Sequence, residues 1–141
     1  MLFGGYQHNI DKKGRVFLPA KFREQLGTGM MICRGIFGKR CLCVYSAEQW
    51  EKLVEHISTL PVIKSLDAQR FLYEGSFQVD FDTQGRILIP PTLREYANLE
   101  GEAHIIGMAS YLEIWNTELW NAESATYTSE SIASIMEELN F

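Results

Sequence analysis

Apolar and polar positions alternate over residues 6–10 and again over 77–81, the two-residue period of a half-buried strand. Unbroken apolar runs at 16–18 and 87–89 predict short buried strands, and further strands are expected at 30–34, 41–45, 103–107 and 111–115. Asp-x-x-Gly separates the first two strands of each set, a turn in which Asp accepts backbone hydrogen bonds and Gly supplies positive φ. Pro19 and Pro90-Pro91 end the buried strands and can open short helices over 20–26 and 92–97. Ser46 and Gln49 have the spacing of a capping box, and Trp50, Leu53, Val54, Ile57 and Leu60 keep helical spacing until Pro61. Asn116 is placed to cap a shorter counterpart at 117–121. A second connector helix is expected at 64–73, and a C-terminal one at 129–139 carries Ile132, Ile135, Met136 and Leu139 on one stripe.

The pattern repeats within the chain. Asp11-Lys12-Lys13-Gly14-Arg15-Val16-Phe17-Leu18-Pro19 recurs 71 residues later as Asp82-Thr83-Gln84-Gly85-Arg86-Ile87-Leu88-Ile89-Pro90. Gly4, Tyr6, Gln7 and Ile10 match Gly75, Phe77, Gln78 and Phe81, and Phe22-Arg23-Glu24 matches Leu93-Arg94-Glu95. Leu42-Cys43-Val44-Tyr45-Ser46 then aligns with Leu112-Glu113-Ile114-Trp115-Asn116, and Trp50 with Trp120. Units of about 45 residues are too small for a comfortable core of their own. The two copies are therefore expected to pack on each other as a pseudo-twofold pair. The expected fold class is α+β, mainly β. Repeat 1 takes residues 5–47, a helical connector 48–75, repeat 2 76–119 and a C-terminal helical tail 120–141.

Composition narrows the function classes. The 141 residues are 46% hydrophobic and 22% charged, a globular balance. The longest stretches free of Asp, Glu, Lys and Arg run ten residues, at 1–10 and 103–112, against about 20 for a spanning helix. No basic segment leads into an apolar core at the N-terminus, and three cysteines make no disulfide framework, so a reduced, cytoplasmic protein is expected. The net charge of −5 hides an asymmetry. Residues 1–60 hold nine Lys/Arg and five Asp/Glu, and residues 61–141 hold four and thirteen. One half of the molecule attracts a polyanion and the other repels it.

The residues do not read as an enzyme. Cys33, Cys41, Cys43 and His104 could in principle ligate zinc, but neither Cys-x-x-Cys nor His-x₃₋₅-His spacing is present. Cys41 and Cys43 become Tyr111 and Glu113 in the second copy, so small strand residues are the simpler reading, and neither metal nor cofactor is expected. Asp80 and Asp82 stand two apart, yet their counterparts are Asn9 and Asp11, and turn initiation explains both Asp11 and Asp82. Gly38-Lys39 lacks the spacing of a phosphate-binding loop. What both copies keep is Asp-x-x-Gly-Arg. The turn lets Asp and Arg face each other, which stabilises the turn and also fixes the direction of the guanidinium fork. Lys12 and Lys13 share the first tip, and Lys39-Arg40 lies on the next hairpin loop.

These motifs resemble the MraZ family, bacterial transcriptional regulators built of two fused SpoVT-AbrB-like units. The resemblance spans residues 1 to about 120 and rests on Asp11/Arg15, Asp82/Arg86, both following prolines, the opening Met1-Leu2-Phe3-Gly4-Gly5-Tyr6, and the phrase Gly14-Arg15-Val16-Phe17-Leu18-Pro19-Ala20-Lys21-Phe22-Arg23. It implies a swapped-hairpin barrel, ring-like homo-oligomers larger than a dimer, and binding of double-stranded DNA at short direct repeats upstream of a division and cell-wall gene cluster. Autorepression and a nucleoid-associated location follow from the same resemblance. Under it, Lys12, Lys13, Arg15, Lys39, Arg40 and Arg86 are the expected DNA contacts, with Asp11 and Asp82 positioning the arginines. A protein-interaction scaffold without specific DNA binding is the competing expectation.

Overall fold

The computed structural model describes residues 1–140; Phe141, the end of the expected tail, lies outside the described residues. In chain order the first half holds β1 (Leu2–Asn9), β2 (Arg15–Phe17), α1 (Ala20–Leu26), β3 (Met30–Arg34), β4 (Leu42–Tyr45), α2 (Ala47–Ser58) and α3 (Val62–Glu74). The second half holds β5 (Ser76–Val79), β6 (Arg86–Leu88), α4 (Pro91–Tyr96), β7 (Glu102–Ala109), β8 (Leu112–Asn116), α5 (Thr117–Ser124) and α6 (Ser129–Glu137). The class is α+β with six helices and antiparallel strands, and no helix among the described residues is long and apolar enough to cross a membrane.

Six strands form one sheet in the order β1-β7-β8-β4-β3-β5, and β2 pairs with β6 in a separate ribbon. The first strand of each repeat pairs with the other repeat: β1 lies along β7 from Leu2–Ala109 to Asn9–Glu102, and β5 lies along β3. The β4–β8 pairing joins the repeats at the middle of the sheet. Among the described residues the strands do not close into a barrel, so the expected swapped-hairpin barrel is not seen in closed form. β2 and β6 are three residues long and stop before Pro19 and Pro90, which have no N–H to extend a ladder, so the ribbon's link to β1 is a single bridge, Ile10–Val16.

β1 begins four residues before the alternation signals it. Gly4 and Gly5 show no side-chain period, and the strand is set instead by its partner. Gly4 faces Gly107, where a Cβ would come within 2.5 Å of the β1 backbone at Leu2 and Phe3. Only glycine allows that approach. The helices follow the sequence reading more closely. Ser46 Oγ accepts from the Gln49 N–H at 3.2 Å, although the reciprocal bond from Gln49 is not made. A reciprocal box forms further on, between Thr128 and Ser131 at the start of α6.

The main core lies between the sheet and the ribbon. Val16, Leu18 and Phe22 from repeat 1 and Ile87, Ile89 and Leu93 from repeat 2 occupy equivalent places there, each at most 1% exposed. A smaller cluster of Cys33, Cys43, Tyr45, Ile57 and Leu72, flanked by Trp50 and Leu53, seats α2 and α3 on the outer sheet face. The Trp50–Ile57 stripe is thus used within the chain. The α6 stripe is not: Ile132, Ile135, Met136 and Leu139 are all exposed.

Candidate nucleic-acid interface

Each tip turn is built by its aspartate. Asp11 Oδ1 accepts from the backbone N–H groups of Lys13 (3.0 Å) and Arg15 (2.9 Å), and Oδ2 accepts from Arg15 Nε at 2.6 Å. Asp82 repeats the set with Gln84 (2.9 Å), Arg86 (2.9 Å) and Arg86 Nε (2.8 Å). Gly14 and Gly85 sit at φ +88° and +80°, as the return of the chain requires. The backbone N–H of Arg15, joined by its guanidinium and by the Lys13 N–H against a smaller opposing effect of desolvation, holds Asp11 below the ordinary value of 3.8. Asp82 is lowered in the same way, first by the Arg86 N–H. Both carboxylates are ionised at neutral pH, and each ties down the Nε of its arginine.

The two tips are one site. In the ribbon Arg15 faces Leu88, Val16 faces Ile87, and Phe17 faces Arg86. Val16 and Ile87 point into the core and are fully buried, so strand alternation turns Arg15, Phe17, Arg86 and Leu88 outward together. Phe17 and Leu88 remain 37% and 52% exposed, large apolar groups between two oriented guanidiniums. Arg86 Nη1 also reaches across to Asp11 Oδ2 at 3.9 Å, joining the two repeats electrostatically. Lys12 and Lys13 are exposed on the first tip, where the second carries Thr83 and Gln84.

A second pair of arginines braces the tips, and Arg23 also lies over the Phe17 ring at 4.9 Å. Arg94 donates from Nε to the Ile89 carbonyl at 3.0 Å, and its guanidinium packs where a Gly14 Cβ would stand. Arg23 does the same for Gly85, donating to the Leu18 carbonyl at 2.8 Å. The Leu18 N–H bonds to the Gly85 carbonyl and the Ile89 N–H to that of Gly14, so each turn is held by the opposite repeat. Arg23 and Arg94 were visible in the repeat as the shared Arg-Glu after Phe22 and Leu93, but nothing in the sequence tells that they reach the other copy's turn.

Lys39 and Arg40 are placed elsewhere. Lys39 Nζ pairs with Glu123 on α5 at 3.0 Å, and Arg40 lies over the Tyr96 ring of α4 at 4.6 Å. Their charged groups are engaged with the helices that flank the sheet, not with the ribbon. His104 stacks on Trp120 at 5.1 Å between centroids, and burial pushes the Cys33 thiol up to about 12, far from a nucleophile's range.

Comparison with known proteins agrees with the geometry. The family described as "MraZ protein, putative antitoxin-like" matches twice, over residues 1–70 and 72–139. A protein named Transcriptional regulator MraZ from Halothermothrix orenii is 44% identical over 144 residues, and one of the same name from Caldicellulosiruptor saccharolyticus is 46% identical, each match covering 99% of both chains. A third, from Thermoanaerobacter sp., is 42% identical over 145 residues with the same coverage. Two copies of one Asp-x-x-Gly-Arg turn on a shared ribbon, together with these whole-length matches, establish that the chain belongs to the MraZ family, a family of transcriptional regulators and not of enzymes.

Proposed function

We propose that the chain is a sequence-specific DNA-binding transcriptional regulator whose β2–β6 ribbon enters the major groove. The observation that carries this is the outward ribbon face, where two guanidiniums are each fixed by a carboxylate and flanked by Phe17 and Leu88. A two-stranded ribbon is one of the shapes that the major groove admits. A guanidinium held at Nε leaves its terminal nitrogens for guanine, and apolar groups suit thymine methyls. Lys12 and Lys13 supply phosphate contacts beside Arg15, with Arg86 the secondary reader; Lys39 and Arg40 join only as outer phosphate contacts. The names of the relatives support the regulatory part of the reading.

The finer proposal concerns arrangement. A single ribbon offers few cationic groups, so non-specific affinity is weak, about 10⁻⁴ M at physiological salt. Joining several ribbons in a homo-oligomeric ring adds avidity of about 10²–10⁴ when the operator repeats one short word in the same orientation. The exposed α6 stripe supports such assembly, and the exchanged first strands support a swapped-hairpin origin of each unit. The operator is placed in direct repeats upstream of a division and cell-wall gene cluster that includes this gene, with autorepression as the outcome.

The test is fluorescence anisotropy with the DNA upstream of the chain's own gene and a scrambled duplex of equal length, over a salt series. Specific preference for the native duplex is expected, with log affinity falling steeply, by about 0.9 per neutralised phosphate. Equal binding of both duplexes, or affinity indifferent to salt, would favour the scaffold reading instead.

A further inference from the structure

Away from the ribbon, the fold brings a carboxylate from the second repeat to two neighbouring thiols of the first. Cys43 lies in β4 and Cys41 immediately ahead of it, two residues away, so that in the extended chain both side chains fall on one side. The β4–β8 register sets Glu113 directly opposite Cys43. The two thiols and the Glu113 carboxylate all lie within 4.8 Å of one another. Ligand atoms around tetrahedral zinc, with metal–sulfur bonds of about 2.3 Å, stand about 3.8 Å apart, so small side-chain adjustments bring these three donors to one ion, with solvent as the fourth ligand.

The surroundings of Glu113 point the same way. It is half-buried beside two thiols, forms no ion pair among the described residues, and takes a single side-chain hydrogen bond, from Trp115 Nε1 at 2.9 Å. A carboxylate in that position lacks the positive charge that would ordinarily accompany it. Both cysteines are almost fully buried, while Glu113 keeps the site open to solvent on one side. His104, on the neighbouring strand β7, is stacked on Trp120 and is not among the donors.

We propose that Cys41, Cys43 and Glu113 bind a thiophilic divalent cation of the zinc class, at the seam where the two repeats meet. Thiolate donors with one carboxylate select zinc or cadmium over magnesium and calcium, which prefer all-oxygen sets. Cys43 and Glu113 are equivalent positions in the two repeats, so the ion would lie close to the pseudo-twofold axis. There it would tie β4 to β8, a join of only three residue pairs. The role is structural: bound metal stabilises the joined repeats by mass action.

The test uses the full-length reduced chain titrated with cadmium, whose bond to sulfur gives a charge-transfer band in the ultraviolet, and with zinc as competitor. One equivalent is expected to bind, zinc to displace it, and zinc to raise the thermal midpoint. Cys41→Ser and Cys43→Ser are expected to weaken binding by more than about 100-fold, and Glu113→Gln by at least about 10-fold, since even outer partners of metal ligands are worth that much. His104→Ala is expected to bind as wild type. Should a buried cysteine variant fail to fold, Glu113→Gln, at a partly exposed position, still decides the matter. No band at one equivalent, uptake that ignores Cys41→Ser and Glu113→Gln, or loss of uptake in His104→Ala would overturn the site.

Discussion

Replacing Gly14 by alanine adds one methyl group at a place where the structure has no room for it. Two separable costs follow. At φ +88° an L-residue is strained by about 1–2 kcal/mol. The new Cβ would also stand 2.5 Å from Arg94 Nε and Cζ, so the guanidinium must swing away and give up its 3.0 Å bond to the Ile89 carbonyl. Loss of that half-exposed, charge-assisted bond adds about 1.5 kcal/mol, for a total of about 2.5–3.5 kcal/mol. A double-mutant cycle separates the two. In an Arg94→Ala background the obstacle is gone, and Gly14→Ala should cost only the backbone strain. Urea denaturation of the four proteins should therefore give a coupling energy of about 1.5 kcal/mol, and the equivalent pair Gly85 and Arg23 should behave alike. Strictly additive costs would show that Arg94 does not support the first tip and would refute the cross-repeat buttress.

Other outcomes follow from the same geometry. Asp11→Asn keeps an acceptor for the Lys13 and Arg15 N–H groups but removes the negative charge that holds Arg15 Nε. Binding to the operator should fall while binding to random duplex holds or rises, measured by anisotropy with both DNAs; equal strengthening on both would remove the positioning role. A carboxylate whose pKa falls on folding stabilises its turn above the unfolded value, and that stability is lost as pH drops through the folded value. The Lys13 and Gln84 amide resonances should therefore titrate with midpoints below 3.8, whereas a midpoint above 3.8 would contradict the lowered values of Asp11 and Asp82. Ser46→Ala should cost about 1 kcal/mol by chemical denaturation, because it leaves the Gln49 N–H at the start of α2 without its acceptor.

Local patterns carried much of the fold into the sequence. Asp-x-x-Gly-Arg, Pro19, Pro90 and the Ser46 cap each act within a few residues, and each produced the turn, strand end or helix start expected of it. Long-range pairing was another matter. The repeat implied that the copies pack together, but no residue announces that β1 pairs with β7 or that Arg94 packs against Gly14. The Lys39-Arg40 loop shows the same limit. A basic dipeptide on a hairpin looks like solvated charge, and its engagement with Glu123 and Tyr96 depends on helices far along the chain. Glu113 was likewise ordinary until the sheet register set it opposite Cys43.

The most direct measurement is the operator affinity of Arg15→Ala/Arg86→Ala, read against a scrambled duplex and with the fold checked by circular dichroism. If the two guanidiniums read base edges, each loss removes about 1–3 kcal/mol, so operator affinity falls by about 30-fold to 10⁴-fold per site and approaches that for the scrambled duplex. The folded variant binding its operator as tightly and as selectively as wild type would place DNA recognition somewhere other than the ribbon.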